Sequence, residues 1–361
     1  MTQSYAALRT LLSEAGYAFI EPPVVHPASV FVELAGEDLR RQLFLTSGED
    51  GAELALRPDY TIPVCLQHIA TGPAKRRASY AYLGPVFRLK AGTSGEAVQA
   101  GVESLGRTDR VAADADILKL AFAAAALLGI RRPVVTIGDS ALFATLLDEL
   151  DLSPPWQRRL ERAFGDTARL KDFIARANGK GKPAHHSELE GASPAQVKAA
   201  VAQRLADTGL GQAGGRSPAE IAERFVEKAV IAAGVKPRVA AALTAFLAIR
   251  GTPSKAVAEL RALAKREKLD LGKALDRFEK RNTAFAAHGI DVDRLTFAAD
   301  FGRRLDYYTG FVFEFRRTKT ARETIIGGGR YDRMTAHIGA GGEAVPAVGF
   351  AIWLDRLGGR S

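Results

Sequence analysis

The run Phe311-Val312-Phe313-Glu314-Phe315 leaves this chain little conformational choice. Its three phenylalanines recur with a period of two, which puts them together on one face of a β-strand. Ahead of the strand stands Arg303-Arg304-Leu305-Asp306-Tyr307-Tyr308-Thr309-Gly310; behind it comes Gly327-Gly328-Gly329-Arg330-Tyr331-Asp332. An arginine, two adjacent tyrosines and a tight Thr-Gly turn suit a small zwitterion, with a fixed cation for its carboxylate and phenols for a polar ring. The plain alternative is an edge strand followed by a glycine-rich turn.

At 361 residues the chain is long enough for two or three domains with a full core. Hydrophobic residues make up 47% and charged residues 25%, which argues against disorder. The single cysteine, Cys65, rules out an intramolecular disulfide and fits a reducing compartment. No apolar run approaches the roughly 20 residues needed to span a bilayer. The longest candidate, Leu120 to Ile130, is alanine-rich and reads as a core helix. The N-terminus lacks a basic-then-apolar signal, so the expectation is a cytoplasmic protein that meets no membrane. A net charge of +9 and a pI near 9.6 raise the question of an anionic partner. The basic clusters Lys75-Arg76-Arg77, Arg158-Arg159 and Lys265-Arg266 carry no interleaved aromatics, so a solvated surface is favoured over a nucleic-acid face.

Helical spacing of Tyr5, Leu8, Leu11 and Leu12 predicts a helix over 4–15, followed by a strand from Tyr17 to Ile20 that Pro22-Pro23 stops. Leu43 to Arg57 alternates like paired strands about the Ser47–Gly51 turn. An apolar helix with Cys65 and His68 comes next, His68 being read as a helix-face residue. Tyr80 to Leu89 and Ala97 to Gly106 read as antiparallel strands, followed by a helix over about 114–128 and a strand from Pro133 to Ile137. Between about 150 and 270 the composition turns to alanine-rich helices. Ser153-Pro154, Ser193-Pro194 and Ser217-Pro218-Ala219-Glu220 serve as starts, the last a capping box. His185-His186 lies in a Lys- and Gly-rich loop without a zinc-ligand set, so no metal is expected. The expected organisation is an α+β core of 1–149 and 270–361 interrupted by a helical insertion at 150–269. The core resumes after Leu271 and ends on a helix containing Leu354 to Leu357.

The two blocks at 303–315 and 327–332 resemble the histidine-specific signature of histidyl-tRNA synthetases. The helix, strand and proline near the N-terminus are similar to motif 1 of class II synthetases, a dimer interface in that family. The resemblance covers 1–140 and about 270–361 and implies a class II synthetase-like antiparallel sheet flanked by helices. Leu56-Arg57-Pro58-Asp59-Tyr60-Thr61 is similar to the family's L-R-P-E-G-T, whose carboxylate and threonine hold the substrate ammonium; Tyr60 in place of glycine leaves the local backbone shape open. Gln99 and Glu103 match the residues ending motif 2, which contact the amino group and imidazole. Arg88 matches the motif 2 arginine, Arg303 the arginine facing the carboxylate, and Tyr307 and Tyr308 the ring-binding tyrosines. Because Arg304 replaces a glycine, the carboxylate role stays open between Arg303 and Arg304. The resemblance thus implies a site for L-histidine formed by Asp59, Thr61, Arg88, Gln99, Glu103, Arg303, Tyr307 and Tyr308, with no cofactor and no catalytic residue.

The activating chemistry departs from the pattern. After Gly84-Pro85-Val86-Phe87-Arg88, Lys90 stands at the expected glutamate and the loop is short. Motif 3 reads Gly349-Phe350-Ala351-Ile352-Trp353-Leu354-Asp355-Arg356, with Trp353 at a glycine against which adenine packs in the family. Arg356 matches the motif 3 arginine, which alone makes no nucleotide site. The family's anticodon-binding domain would follow motif 3, whereas this sequence runs only to Ser361. The combination resembles the regulatory subunits of ATP phosphoribosyltransferase. That implies a non-catalytic chain, histidine feedback, and a homodimer within a hetero-oligomer with the short catalytic subunit. The rival readings are a truncated histidyl-tRNA synthetase, which would exchange ATP and pyrophosphate, and a tRNA-binding module, whose affinity would fall steeply with salt.

Overall fold

The structure, a computed structural model, describes residues 2–175, 234–303, 307–339 and 341–357, with isolated helical positions between 196 and 231. Nine strands form one sheet in the order β1-β5-β6-β12-β11-β10-β7-β9-β8. In chain order they are β1 (Ala18–Phe19), β5 (Ala78–Phe87), β6 (Glu96–Leu105), β7 (Val134–Asp139), β8 (Arg250–Gly251), β9 (Leu295–Ala298), β10 (Phe311–Arg316), β11 (Ile326–Arg330) and β12 (Ala347–Trp353). The six central strands are antiparallel, and parallel pairs occur only at β1–β5 and β7–β9. A second sheet of β2 (Val25–Pro27), β3 (Leu45–Ser47) and β4 (Glu53–Leu56) has the order β2-β4-β3, with the expected pairing about Ser47–Gly51. This is the expected α+β architecture.

The periodicities explain the layers. Leu8 and Leu12 of α1 (Thr2–Glu14) are buried, with Tyr5 and Leu11 packed against the same core. Phe311, Phe313 and Phe315 all point to one side of β10, where Phe122 of α4 (Arg110–Leu127) meets Phe315 edge-on at 4.8 Å. The opposite face of β10, carrying Val312 and Glu314, belongs to the side on which the site lies. The glycine run is a central strand, not a turn: β11 pairs with β10 on one side and β12 on the other. Glycine is poor in a strand interior unless something approaches the backbone closely, and the site supplies that reason below.

Several expectations need correction. A helix α2 (Ala28–Arg40) follows the double proline and was not signalled by clear periodicity. The helix beginning near Asp114 starts a turn earlier, at Arg110. The terminal helix is only a 3-10 turn, Leu354–Arg356. The 150–269 stretch is not wholly helical, since β8 lies inside it and extends the main sheet beside β9. Its described helices are α6 (Pro154–Ala163), α7 (Thr167–Ala175), α8 (Pro237–Leu247) and α9 (Pro253–Glu267), after α5 (Ser140–Glu149) and before α10 (Gly272–Ala287). The expected start at Ser153-Pro154 is found at α6. Those at Ser193 and Ser217, and the His185-His186 loop, lie outside the described residues. Among the described residues no helix is long and apolar enough to cross a membrane.

Candidate functional site

Glu103 lies near the C-terminal end of β6, opposite Tyr80 of β5 on one side and Gly349 of β12 on the other. A Cβ on Gly349 would sit 1.8 Å from the Glu103 carboxylate, so glycine there is what lets this side chain lie flat over the sheet. Thr61, the first residue of α3 (Thr61–Ala70), donates its hydroxyl to Glu103 Oε1 at 2.8 Å. Tyr82 donates at 3.3 Å to the same oxygen, and Tyr331 donates to Oε2. Burial dominates the titration of Glu103 and pushes its pKa up to about 8 despite these three donors. The carboxyl therefore carries a proton over much of the neutral range.

Asp59 stands two residues before Thr61, the first residue of α3. Both its carboxylate oxygens are buried without a hydrogen bond of ordinary geometry; the N–H groups of Ile62 and Thr61 and a long ion pair to Arg88 Nη2 at 3.5 Å partly support its charge. Burial raises its pKa, and the Arg88 charge only partly opposes this. A buried carboxylate so loosely supported, facing a cavity, is a poor arrangement for a structural residue and a good one for a cationic ligand group. Gln99 accepts the backbone N–H of Tyr60 at 3.0 Å and so fixes the turn that aims Asp59. Tyr60, where the synthetase pattern has glycine, adopts ordinary angles (φ −96°, ψ −20°). Its ring stacks on Tyr82 at 4.5 Å, and its hydroxyl fills the space that Gly84 leaves open.

Across the cavity lie Arg303, Tyr307 and Tyr308. The Arg303 guanidinium rests on Gly327, where a Cβ would be 1.8 Å from Nη1; this is the close approach that β11 needs its glycine for. Tyr307 and Tyr308 have ring centroids 4.8 Å apart, and Tyr307 meets Tyr331 edge-on at 5.9 Å. Burial raises the pKa of both tyrosines, so each keeps its hydroxyl proton to donate. All eight residues expected from the sequence line this one cavity of about 700 Å³. Arg304 lies outside the described residues, so only Arg303 has a described place there. His68 lies on the buried face of α3, its ring nitrogens meeting Tyr80 Oη and the Ala74 carbonyl.

Two groups escaped the sequence reading. Tyr331 lines the cavity and holds Glu103, yet its block reads as a glycine-rich signature in which the tyrosine does not announce a contact. The second is the cation pair about Trp353. Arg88 lies over the indole at 4.8 Å and Arg356 at 4.4 Å, with Arg356 also donating to the Thr324 carbonyl at 2.7 Å. The indole is 6% exposed and packs with Tyr60, Tyr82 and Val86. Lys90 reaches only Glu323, at 3.9 Å on the surface. Among the described residues no cluster of His, Cys, Asp and Glu could hold a metal ion.

A family model described as histidyl-tRNA synthetase matches residues 1–214 and 219–357. The chain is 41% identical over 362 aligned positions to proteins from Brucella ovis and Brucella melitensis named ATP phosphoribosyltransferase regulatory subunit, covering 98% of this chain and 96% of theirs. Among solved structures it is similar to an ATP phosphoribosyltransferase regulatory subunit/histidyl-tRNA synthetase from Bacillus halodurans. That match has a TM-score of 0.67 and 22% identity, over 99% of this chain and 78% of that one. Histidyl-tRNA synthetase from Nostoc sp. matches with a TM-score of 0.64 and 19% identity, over 99% and 70% of the two chains.

Proposed function

Given that the chain belongs to the ATP phosphoribosyltransferase regulatory subunits, a family on the histidyl-tRNA synthetase fold, we propose that its cavity binds free L-histidine and reports occupancy to a catalytic subunit. The observation that carries this reading is the buried, loosely paired carboxylate of Asp59 in one cavity with Arg303 and the tyrosine pair. The ligand ammonium meets Asp59, and its carboxylate meets Arg303. Imidazole offers one donor and one acceptor, which Glu103 and the tyrosine hydroxyls answer. A site built this way rejects analogues lacking either ring nitrogen, because its own buried groups would be left unpaired.

On this reading the chain performs no catalysis of its own. It assembles as a homodimer with the short catalytic subunit that condenses ATP with phosphoribosyl pyrophosphate. The core of 1–149 and 270–361 holds the ligand, and the region 150–269 is an insertion. Feedback requires histidine to bind the inhibited assembly more tightly than the active one, by a coupling of about 1–3 kcal/mol. The aromatic packing of Trp353 between two arginines, and Lys90 turned to Glu323, speak against nucleotide activation at the same cavity.

The test has two parts. Calorimetric titration with L-histidine should give saturable heat, and histidinol, which lacks the carboxylate, should bind at least tenfold more weakly if Arg303 carries one charge-assisted pair. Mixing the chain with the short catalytic subunit should give an activity that histidine lowers. No heat at millimolar histidine removes the ligand assignment, and an activity indifferent to histidine removes the feedback role.

A further inference from the structure

Beside Arg303 the cavity is lined in part by the helical region and not by the sheet alone. Gly165, in the turn between α6 and α7, lines the cavity with Phe301 and Gly302. The contact is backbone on backbone. A Cβ on Gly165 would lie 2.8 Å from the Gly302 carbonyl carbon and 3.2 Å from that of Arg303. A Cβ on Gly302 would in turn lie 2.7 Å from the Phe164 ring and 3.0 Å from the Gly165 Cα. Gly165 also has φ +89°, a left-handed angle that glycine adopts without strain.

The same short segment is held from its other sides. Thr167 of α7 donates to Asp300 at 3.3 Å, and Arg250 of β8 reaches the other oxygen of Asp300 at 3.0 Å. The Phe301 carbonyl passes over β7 at Gly138, where a Cβ would be 2.1 Å away. Phe164 is itself anchored, stacked on Phe143 of α5 at 4.6 Å and 17°. Residues 300–303 are thus gripped between a helical turn and the sheet, and they deliver Arg303 onto Gly327.

We propose that the α6–α7 turn is a positioning element of the ligand site. Through the Phe164-Gly165 contact with Gly302 it sets where the Arg303 guanidinium stands. Packed contacts without spare volume move as units rather than deform. A shift of Arg303 toward or away from a ligand carboxylate is therefore felt at α6 and α7, which gives the region 150–269 a share in reading the pocket. This rests on the histidine reading for the identity of the ligand but not for the mechanics of the contact.

The test pairs two glycines of equal backbone strain. Gly165→Ala forces a methyl group into Gly302. Gly129→Ala, at φ +81° with nothing within 4 Å of the added carbon, carries the same strain far from the site. Both should lower the melting temperature through that strain, Gly165→Ala by more because its methyl group also meets the Gly302 backbone. Only Gly165→Ala should raise the calorimetric Kd for L-histidine, by about tenfold or more, as misplacement of one anchoring group does. Phe164→Leu, which loosens the contact without backbone strain, should weaken binding in the same direction. In ligand-free protein, hydrogen exchange at 300–303 should rise in Gly165→Ala and stay at the wild-type level in Gly129→Ala. Equal exchange in the two variants overturns the proposal whatever the ligand proves to be. Wild-type affinity in Gly165→Ala overturns it too. Absence of histidine binding in the wild type would instead remove the ligand assignment, leaving the exchange result to decide the contact.

Discussion

Glu103 is buried among three hydroxyl donors, from Thr61, Tyr82 and Tyr331, and its pKa is pushed up to about 8 chiefly by that burial. The folded protein keeps this proton up to about pH 8, whereas an unfolded chain releases it near the ordinary carboxyl value of about 4.3. Between those limits the folded state binds more protons, so stability falls as pH rises. Asp59, also raised, adds to the same slope. His26 and His68, whose pKa values burial lowers, act with the opposite sign near pH 6, so the Glu103 contribution is read as a difference: the melting temperature of ligand-free wild type minus that of Glu103→Gln should decline from pH 5 to 9. Glu103→Ala should abolish the histidine response while leaving fold and partner assembly intact, as read by titration and size-exclusion chromatography. Tyr331→Phe removes one donor from a buried carboxyl and should weaken histidine by about 1–3 kcal/mol, measured the same way. The sequence pointed to Glu103 through its match to the glutamate that ends motif 2 in the synthetase family. It did not point to Tyr331, because nothing linear brings residue 331 to residue 103.

The elements that build the site are held from behind by charge. Asp114 of α4 pairs with Arg330 of β11 at 2.6 Å and with Arg281 of α10 at 3.1 Å, and Arg281 reaches Asp139, which caps α5, at 2.7 Å. Arg330 also pairs with Asp332 at 2.8 Å, and its carbonyl accepts from Thr309 N–H at 2.8 Å in the turn that carries Tyr307 and Tyr308. Removing one partner of such a buried network strands the others, so Asp114→Ala should cost about 3–5 kcal/mol in denaturant unfolding. Gly349→Ala belongs to this scale as well. Its methyl group would strike Glu103 and the Val102 carbonyl, so β12 must separate from β6 or Glu103 must leave the cavity, and histidine affinity should fall with stability. The strand β10 was legible because its three phenylalanines alternate with period two. The glycine run of β11 was not, since its three side-chain-free positions carry no alternation and its pairing is set by neighbours distant in sequence.

For the molecule as a whole, two aromatic residues stand where the synthetase pattern has glycine, and they fall in one cluster: Tyr60 on Tyr82, and Trp353 between Arg88 and Arg356. Trp353→Gly alone should not confer histidine-dependent ATP–pyrophosphate exchange, because Lys90 and the short loop remain; exchange above background in that variant would show the loop to matter less than the indole. By itself the sequence determined the strand and helix spacing of much of the core through local periodicity, and the class of fold and the eight side chains that line one cavity through motifs resembling the synthetase signature in a fixed order. Only the tertiary structure decided that Asp59 is buried with no more than a long ion pair to Arg88, that Tyr331 holds Glu103, that the glycines of β11 and β12 make room for Arg303 and Glu103, and that a helical turn lines the cavity. Each of these depends on which backbone lies within about 3 Å of which side chain, a distance set by packing between segments far apart in the chain.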